Sequence, residues 1–156
     1  LTRSRGLGDV YKRQILDLSK TNELLETLGI TRIGYKTNYM PGFWYEETEN
    51  KVDNKFDEIH EISSFLKLNE NMENKKSILI FNKVPLEKAL NKNDVEKWIN
   101  NATIKADRNN ISGKELTPFL IKEINEQSKN ETLNANVSLI INNANLAGKI
   151  AKSFYS

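Results

Sequence analysis

The sequence predicts an α/β sandwich. Segments with helical apolar periodicity alternate with short apolar runs, and nothing repeats internally. The run Ser77-Ile78-Leu79-Ile80-Phe81 is continuously apolar and β-branched, as expected of a strand covered on both faces. At 156 residues the chain has room for one domain.

From Asp17 the pattern is helical, with Leu18, Leu24, Leu25 and Leu28 on one face and Gly29 as the left-handed stop. A short strand, Arg32 to Tyr35, follows. Met40-Pro41-Gly42-Phe43 reads as a type II turn, and Phe43-Trp44-Tyr45 as a second extended piece. Asp57 to Leu68 places Ile59, Ile62, Phe65 and Leu66 at helical spacing, and Asn69 to Lys76 is polar loop. After the strand Ser77–Phe81, Pro85 opens a short helix, and Asp94 to Arg108 forms the next, with Val95, Trp98, Ile99 and Ala102 inward. Gly113 breaks the chain, and Thr117-Pro118 reads as N-cap and first position of a helix carrying Phe119, Leu120, Ile121 and Ile124. A last helix spans roughly 133–154.

Charge and composition narrow the function classes. The net charge of +2 comes from residues 1–14, where Arg3, Arg5, Lys12 and Arg13 face only Asp9; the remaining 142 residues sum to −1. That segment also holds three of the five arginines and reads as an adapter-like artefact outside the fold. The lysines from Lys75 to Lys105 are interleaved with acids and lack an aromatic stacking platform, which argues against nucleic acid. There is no cysteine, hence no disulfide framework or thiolate metal site. No stretch approaches the roughly 18 apolar residues of a membrane span. Without a visible leader, the four Asn-x-Ser/Thr tripeptides read as compositional accidents and the expected compartment is the cytoplasm or an organelle matrix. His60 sits among Asp57, Glu58 and Glu61, but one histidine on a charged helix face reads as solvated, not as a metal ligand.

In the last helix, Leu133, Ile140, Ala147, Ile150, Ala151 and Phe154 cluster at 100° per residue, with Asn136 and Asn143 on the same stripe. A buried amide without partners costs about 1–3 kcal/mol, so both need them. Two readings stand: each amide ties down a neighbouring loop, or Asn143, deeper in the helix, faces a polar ligand.

Gly113-Lys-Glu-Leu-Thr-Pro-Phe-Leu120, Leu133-Asn-Ala-Asn136 and Asn142-Asn-Ala-Asn-Leu-Ala147 resemble the C-terminal signature of the pseudouridine-5'-phosphate glycosidases, also called indigoidine synthase A-like proteins. Ile15-Leu-Asp-Leu18, Leu24-Leu-Glu-Thr27, Gly34-Tyr-Lys-Thr37, Pro41-Gly-Phe43 and Asn82-Lys-Val-Pro85 match upstream in the same order. The chain departs from the family pattern at Asn38 (usually Asp), at Lys83 (usually Pro) and at Lys129-Asn130 (usually paired glycines).

The resemblance implies a three-layer α/β/α sandwich with a mixed sheet, of which residues 15–156 are an incomplete C-terminal fragment. It further implies a homotrimer when full length, Mn2+ as cofactor, and reversible cleavage of pseudouridine 5'-phosphate to uracil and ribose 5-phosphate. A carbon leaving group is not expelled by protonating a glycosidic oxygen, so the family forms an imine between a lysine and the opened ribose. That lysine falls where this chain has Arg13, which stays protonated and cannot form an imine. The general acid and the metal-binding Asp lie further upstream in the family pattern. No catalytic or metal-binding residue is therefore assigned, and the fragment is expected to be inactive. Asn143 and Asn142 are the expected sugar or base contacts. The competing readings are a non-catalytic helical interaction module, and a same-fold relative acting on another nucleotide or fused to a sugar kinase. The isolated chain is expected to fold poorly, because a strand apolar on both faces needs neighbours.

Overall fold

A computed structural model of the chain describes residues 18–156. It is an α/β fold, as expected. Five helices (α1 Leu18–Thr27, α2 Ile59–Glu70, α3 Lys92–Arg108, α4 Leu116–Gln127, α5 Glu131–Phe154) accompany three strands (β1 Thr31–Tyr35, β2 Asn54–Phe56, β3 Ile78–Phe81). The described strands form one sheet in the order β2-β1-β3, parallel throughout, with Ile33 opposite both Asn54 and Ile80.

The strand parity sorts the layers. Ile33 and Ile80 point to the face covered by α2 and α5, where Ile62, Leu146 and Ile150 complete a buried cluster. Arg32 and Leu79 pair on the opposite face, where Arg32 reaches Asn22 and Glu26 of α1. That cover is thin: α1 has no buried residue, and Leu24 and Leu28 of its apolar face are exposed. Leu79 is 37% exposed, so β3 is covered on one face instead of both.

A second, larger cluster lies away from the sheet. Val95, Ala102 and Ala106 of α3 meet Leu116, Leu120 and Ile124 of α4, Ala135 and Leu139 of α5, and Trp44. Helix α5 thus belongs to both clusters, its first half to one and its second to the other.

Local chemistry explains the element ends. Gly29, at φ +66°, stops α1. Glu61 Oε2 caps α2 by accepting from Glu58 N at 3.0 Å and Asp57 N at 3.1 Å. Asn91 Oδ1 caps α3 by accepting from Asn93 N at 2.9 Å. Lys129 and Asn130, where the family pattern has glycines, both sit in the left-handed region at φ 51° and 68°.

Several expectations need correction. The turn at Met40–Phe43 is not type II: the positive φ falls on Phe43 (69°), not on Gly42. Gly42 is small for another reason, since a Cβ there would lie 2.0 Å from the Tyr45 ring. Phe43-Trp44-Tyr45 is a series of bends, not a strand, because Trp44 turns inward to join the helical cluster. Thr117 is not an N-cap; a 3-10 turn over Gly113–Glu115 leads directly into Leu116, and Pro118 sits inside the first turn, where no hydrogen bond is lost. The buried stripe of α5 is Thr132, Ala135, Leu139, Leu146 and Ile150, while Leu133, Ile140, Asn143, Ala147 and Ala151 of the expected stripe are exposed and Asn136 is half-buried.

Candidate functional site

The loop from Lys36 to Val52 and the segment Asn82–Pro85 after β3 both pack toward α5, and the polar residues of α5 meet them there. The loop's entry depends on Gly34, where a Cβ would lie 2.1 Å from the Thr37 carbonyl oxygen, a clash with backbone. Thr37, buried, then places its one hydroxyl proton between the Tyr39 carbonyl at 2.8 Å and Glu47 Oε1 at 2.9 Å. Glu47 also takes Lys83 Nζ at 3.3 Å, joining the loop to the segment after β3.

Three asparagines of α5 face these segments. Asn136 Oδ1 accepts from the Trp44 indole Nε1 at 2.8 Å, tying the loop through a side chain, not its backbone. Asn142 Nδ2 donates to the Lys83 carbonyl at 3.0 Å and so braces the chain after β3. Asn143 Oδ1 accepts from Asn82 Nδ2 at 3.1 Å. The bond uses Asn143 Oδ1 and Asn82 Nδ2, so Asn143 Nδ2 and Asn82 Oδ1 take no part in it.

Asn143 and Asn82 line an open depression of about 480 Å³, with Ile80, Leu146, Ala147 and Phe154 as apolar wall. The second sequence candidate, Asn142, is not among its lining residues. A separate, mostly apolar cavity of about 250 Å³ lies at the other end of the helix, between Trp44, Tyr45, Ile121, Ile124 and Asn136. Burial there, and secondarily the charge of Glu96, push the Tyr45 hydroxyl's pKa up.

The most electrostatically organised group was invisible in the sequence. Arg32 is 7% exposed and forks onto Asp53, with Nη2 at 2.5 Å from Oδ1 and Nε at 3.2 Å from Oδ2. Its Nη1 reaches Glu26 at 2.6 Å and Asn22 at 2.5 Å. The hydrogen bond from Arg32 holds the Asp53 carboxyl below the usual range, against the opposing effect of burial. Arg32, Asp53 and Glu26 flank a third depression of about 650 Å³, yet every charge in the group is spent on another. It ties α1, β1 and the start of β2 together.

His60 is exposed on α2. Among the described residues no group of three or more His, Cys, Asp or Glu could hold a metal ion. No helix among them is long and apolar enough to cross a membrane. The segment 1–14, with Lys12 and Arg13, lies outside the described residues.

The order of these elements, with Gly34, Thr37, Asn82 and the amides of α5 converging on one side, matches a known pattern along nearly the whole chain. Residues 12–153 fit the family model described as indigoidine synthase A like protein. The chain belongs to that family. It is 42% identical over 142 residues to a pseudouridine-5'-phosphate glycosidase of Petrotoga mobilis, covering 91% of this chain and 46% of the relative. The corresponding protein of Kosmotoga olearia is 41% identical over 139 residues, covering 89% and 48%. The chain therefore spans about half the length of the curated relatives it matches. Among solved structures, an indigoidine synthase A-like protein of Thermotoga maritima aligns with a TM-score of 0.77 at 33% identity, over 88% of this chain and 45% of that one. The prealnumycin C-glycosynthase AlnA, solved with ribulose 5-phosphate, shares the fold with a TM-score of 0.80 at 24% identity, over 87% of this chain and 45% of that one.

Proposed function

We propose that residues 15–156 are the C-terminal part of a pseudouridine-5'-phosphate glycosidase domain, whose complete form splits the carbon–carbon glycosidic bond to give uracil and ribose 5-phosphate. The reading is carried by the 42% identity to the Petrotoga mobilis glycosidase across 91% of the chain. In this reading the chain provides one wall of the substrate site and none of the groups that make or break bonds. The imine-forming lysine would stand at Arg13, and a guanidinium cannot take that role. The described residues do not fit a metal, so Mn2+ would take its protein ligand elsewhere in the domain. The chain alone is accordingly inactive, and the complete domain works as a soluble homotrimer in the cytoplasm.

Within the wall, Asn143 is the substrate contact: it borders the 480 Å³ depression together with Asn82, and its bond to Asn82 uses its Oδ1 and not its Nδ2. Side-chain amides, which carry both donors and an acceptor, suit the hydroxyls of a sugar or the imide edge of a pyrimidine base. Asn142 contributes by positioning, through its bond to the Lys83 carbonyl.

The test is a chimaera joining the N-terminal part of the Petrotoga mobilis relative to residues 15–156, assayed for release of uracil from pseudouridine 5'-phosphate. It should turn over, and Asn143→Ala should lower kcat/KM about 10- to 100-fold with an unchanged melting temperature, as expected for one lost hydrogen bond to the substrate. A folded but inert chimaera, or a fully active Asn143→Ala variant, would overturn the assignment.

A further inference from the structure

Lys83 stands where the family pattern usually has proline. A proline carries no cation, so whatever the ammonium does is a property of this chain. Lys83 Nζ lies 3.3 Å from Glu47 Oε1 and 3.8 Å from Glu46 Oε1, and its side chain is 28% exposed. The Lys83 carbonyl accepts from Asn142 Nδ2 at 3.0 Å. The residue is thus gripped at both ends, by the loop from Lys36 to Val52 and by α5. It follows directly on Asn82, which bonds Asn143 at the depression.

Ion pairs near a protein surface commonly contribute little, because two long side chains must be ordered to make them. Here one partner is held in advance. The buried Thr37 hydroxyl lies 2.9 Å from Glu47 Oε1, and the N–H of the next residue, Thr48, donates to the Met40 carbonyl at 2.9 Å. The carboxylate therefore meets Lys83 with its backbone and one oxygen already fixed, and little freedom is left to lose when the ammonium docks. A tie runs from Thr37, just past β1, through Glu47, Lys83 and Asn82 to Asn143 on α5. Glu46 and Glu47 also share this cation, so deleting it leaves two like charges on adjacent residues of the loop.

We propose that Lys83 is a positioning residue of the substrate wall: through Glu47 it fixes the main chain at Asn82 and so sets the aim of the Asn82–Asn143 pair at the depression. The bond from Asn142 falls on the Val84 side of the residue, where burial of Val84 already anchors the chain, and the ammonium governs the Asn82 side. The inference deepens the proposed function and rests on Asn143 as the substrate contact. Because the chain supplies contacts and not reacting groups, a misaimed pair weakens binding more than it slows chemistry.

Lys83→Met keeps the stem and removes the charge, and Lys83→Arg keeps the charge. In the chimaera described above, with pseudouridine 5'-phosphate, Lys83→Met should raise KM about tenfold with kcat within about twofold, while Lys83→Arg holds KM within about threefold. Glu47→Gln should raise KM to the same extent, and the double variant Lys83→Met/Glu47→Gln no further than either alone. In an Asn82→Ala background Lys83→Met should add nothing, since it acts through Asn82. A merely structural role would lower the melting temperature of Lys83→Met and leave KM in place. That result, or an effect that adds in full to Asn82→Ala, overturns the proposal. A second readout needs no turnover: in the chain itself the side-chain amide NMR signals of Asn82 and Asn143 should move in Lys83→Met and in Glu47→Gln, and stay in Lys83→Arg. Unmoved signals in both charge-removing variants overturn the brace. An inert chimaera with moved signals overturns the substrate reading and leaves the brace standing.

Discussion

Removing the Asp53 carboxylate should cost far more than removing that of Glu26, although both touch the same guanidinium. Arg32 is buried, and Asp53 takes two of its side-chain donors as well as the Arg32 backbone N–H at 2.8 Å. Glu26 takes one donor, and its side chain is 55% exposed against 38% for Asp53. Hydrogen bonds to charged groups contribute about 1.5–3 kcal/mol each when buried. Partial exposure and the remaining Glu26 reduce the sum for Asp53→Ala to about 2–3 kcal/mol, whereas Glu26→Gln should cost less than about 1 kcal/mol. For a chain of this size the first value corresponds to a melting shift of roughly 6–10 °C. The pH dependence gives a second check. The folded carboxyl of Asp53 has a lowered pKa, so its contribution is complete above the unfolded value near 4 and disappears as the pH falls through the lower folded value. Urea titrations followed by circular dichroism at pH 7 and about pH 3 should show the gap between the unaltered chain and Asp53→Ala, and show it closing in acid. Equal costs for the two substitutions, or a gap that persists in acid, would refute the assignment of Asp53 as the principal partner.

Other substitutions test the loop and the amides. Gly42→Ala pushes a methyl group into the Tyr45 ring and should destabilise by about 1–3 kcal/mol, with a change in tryptophan fluorescence as neighbouring Trp44 shifts. Asn136→Ala leaves the Trp44 indole N–H without its partner and should cost about 1–3 kcal/mol in the same titration. Lys129→Gly relieves a side chain held at φ 51° and should raise stability by up to about 1 kcal/mol, after the greater chain entropy of glycine is subtracted. Asn142→Ala, by freeing the Lys83 carbonyl, should lower the chimaera's melting temperature more than its KM.

The elements with one unambiguous apolar face were readable in advance. Helices α2 and α3 bury Ile62, Val95 and Ala102 as their spacing requires, and the Ser77–Phe81 run forms β3. Helix α5 misled because it is apolar on two faces. Periodicity locates the mean of both, so Leu133 and Ile140 read as buried when Ala135 and Leu139 are. Strand β2 escaped notice because Asn54-Lys55-Phe56 has no strand composition; parallel pairing with β1 and the Asp53–Arg32 tie at its start place it. The site was half legible. Asn143 stood out as an amide among apolar neighbours, but its partner Asn82 lies 61 residues away and no local pattern connects them. Arg32 looked like any basic residue, since what distinguishes it is a carboxylate 21 residues further on.

Because one 24-residue helix serves both hydrophobic clusters, the two cannot melt independently. Fraying of α5 from its C-terminus withdraws Ile150 and Leu146 from the sheet before it reaches Leu139 and Ala135, so the sheet end loosens first and the helical end follows through the same rod. Hydrogen exchange should record this as a gradient of protection along α5, with Asn142 and Asn143 near its midpoint, where a bound ligand would stiffen both ends at once.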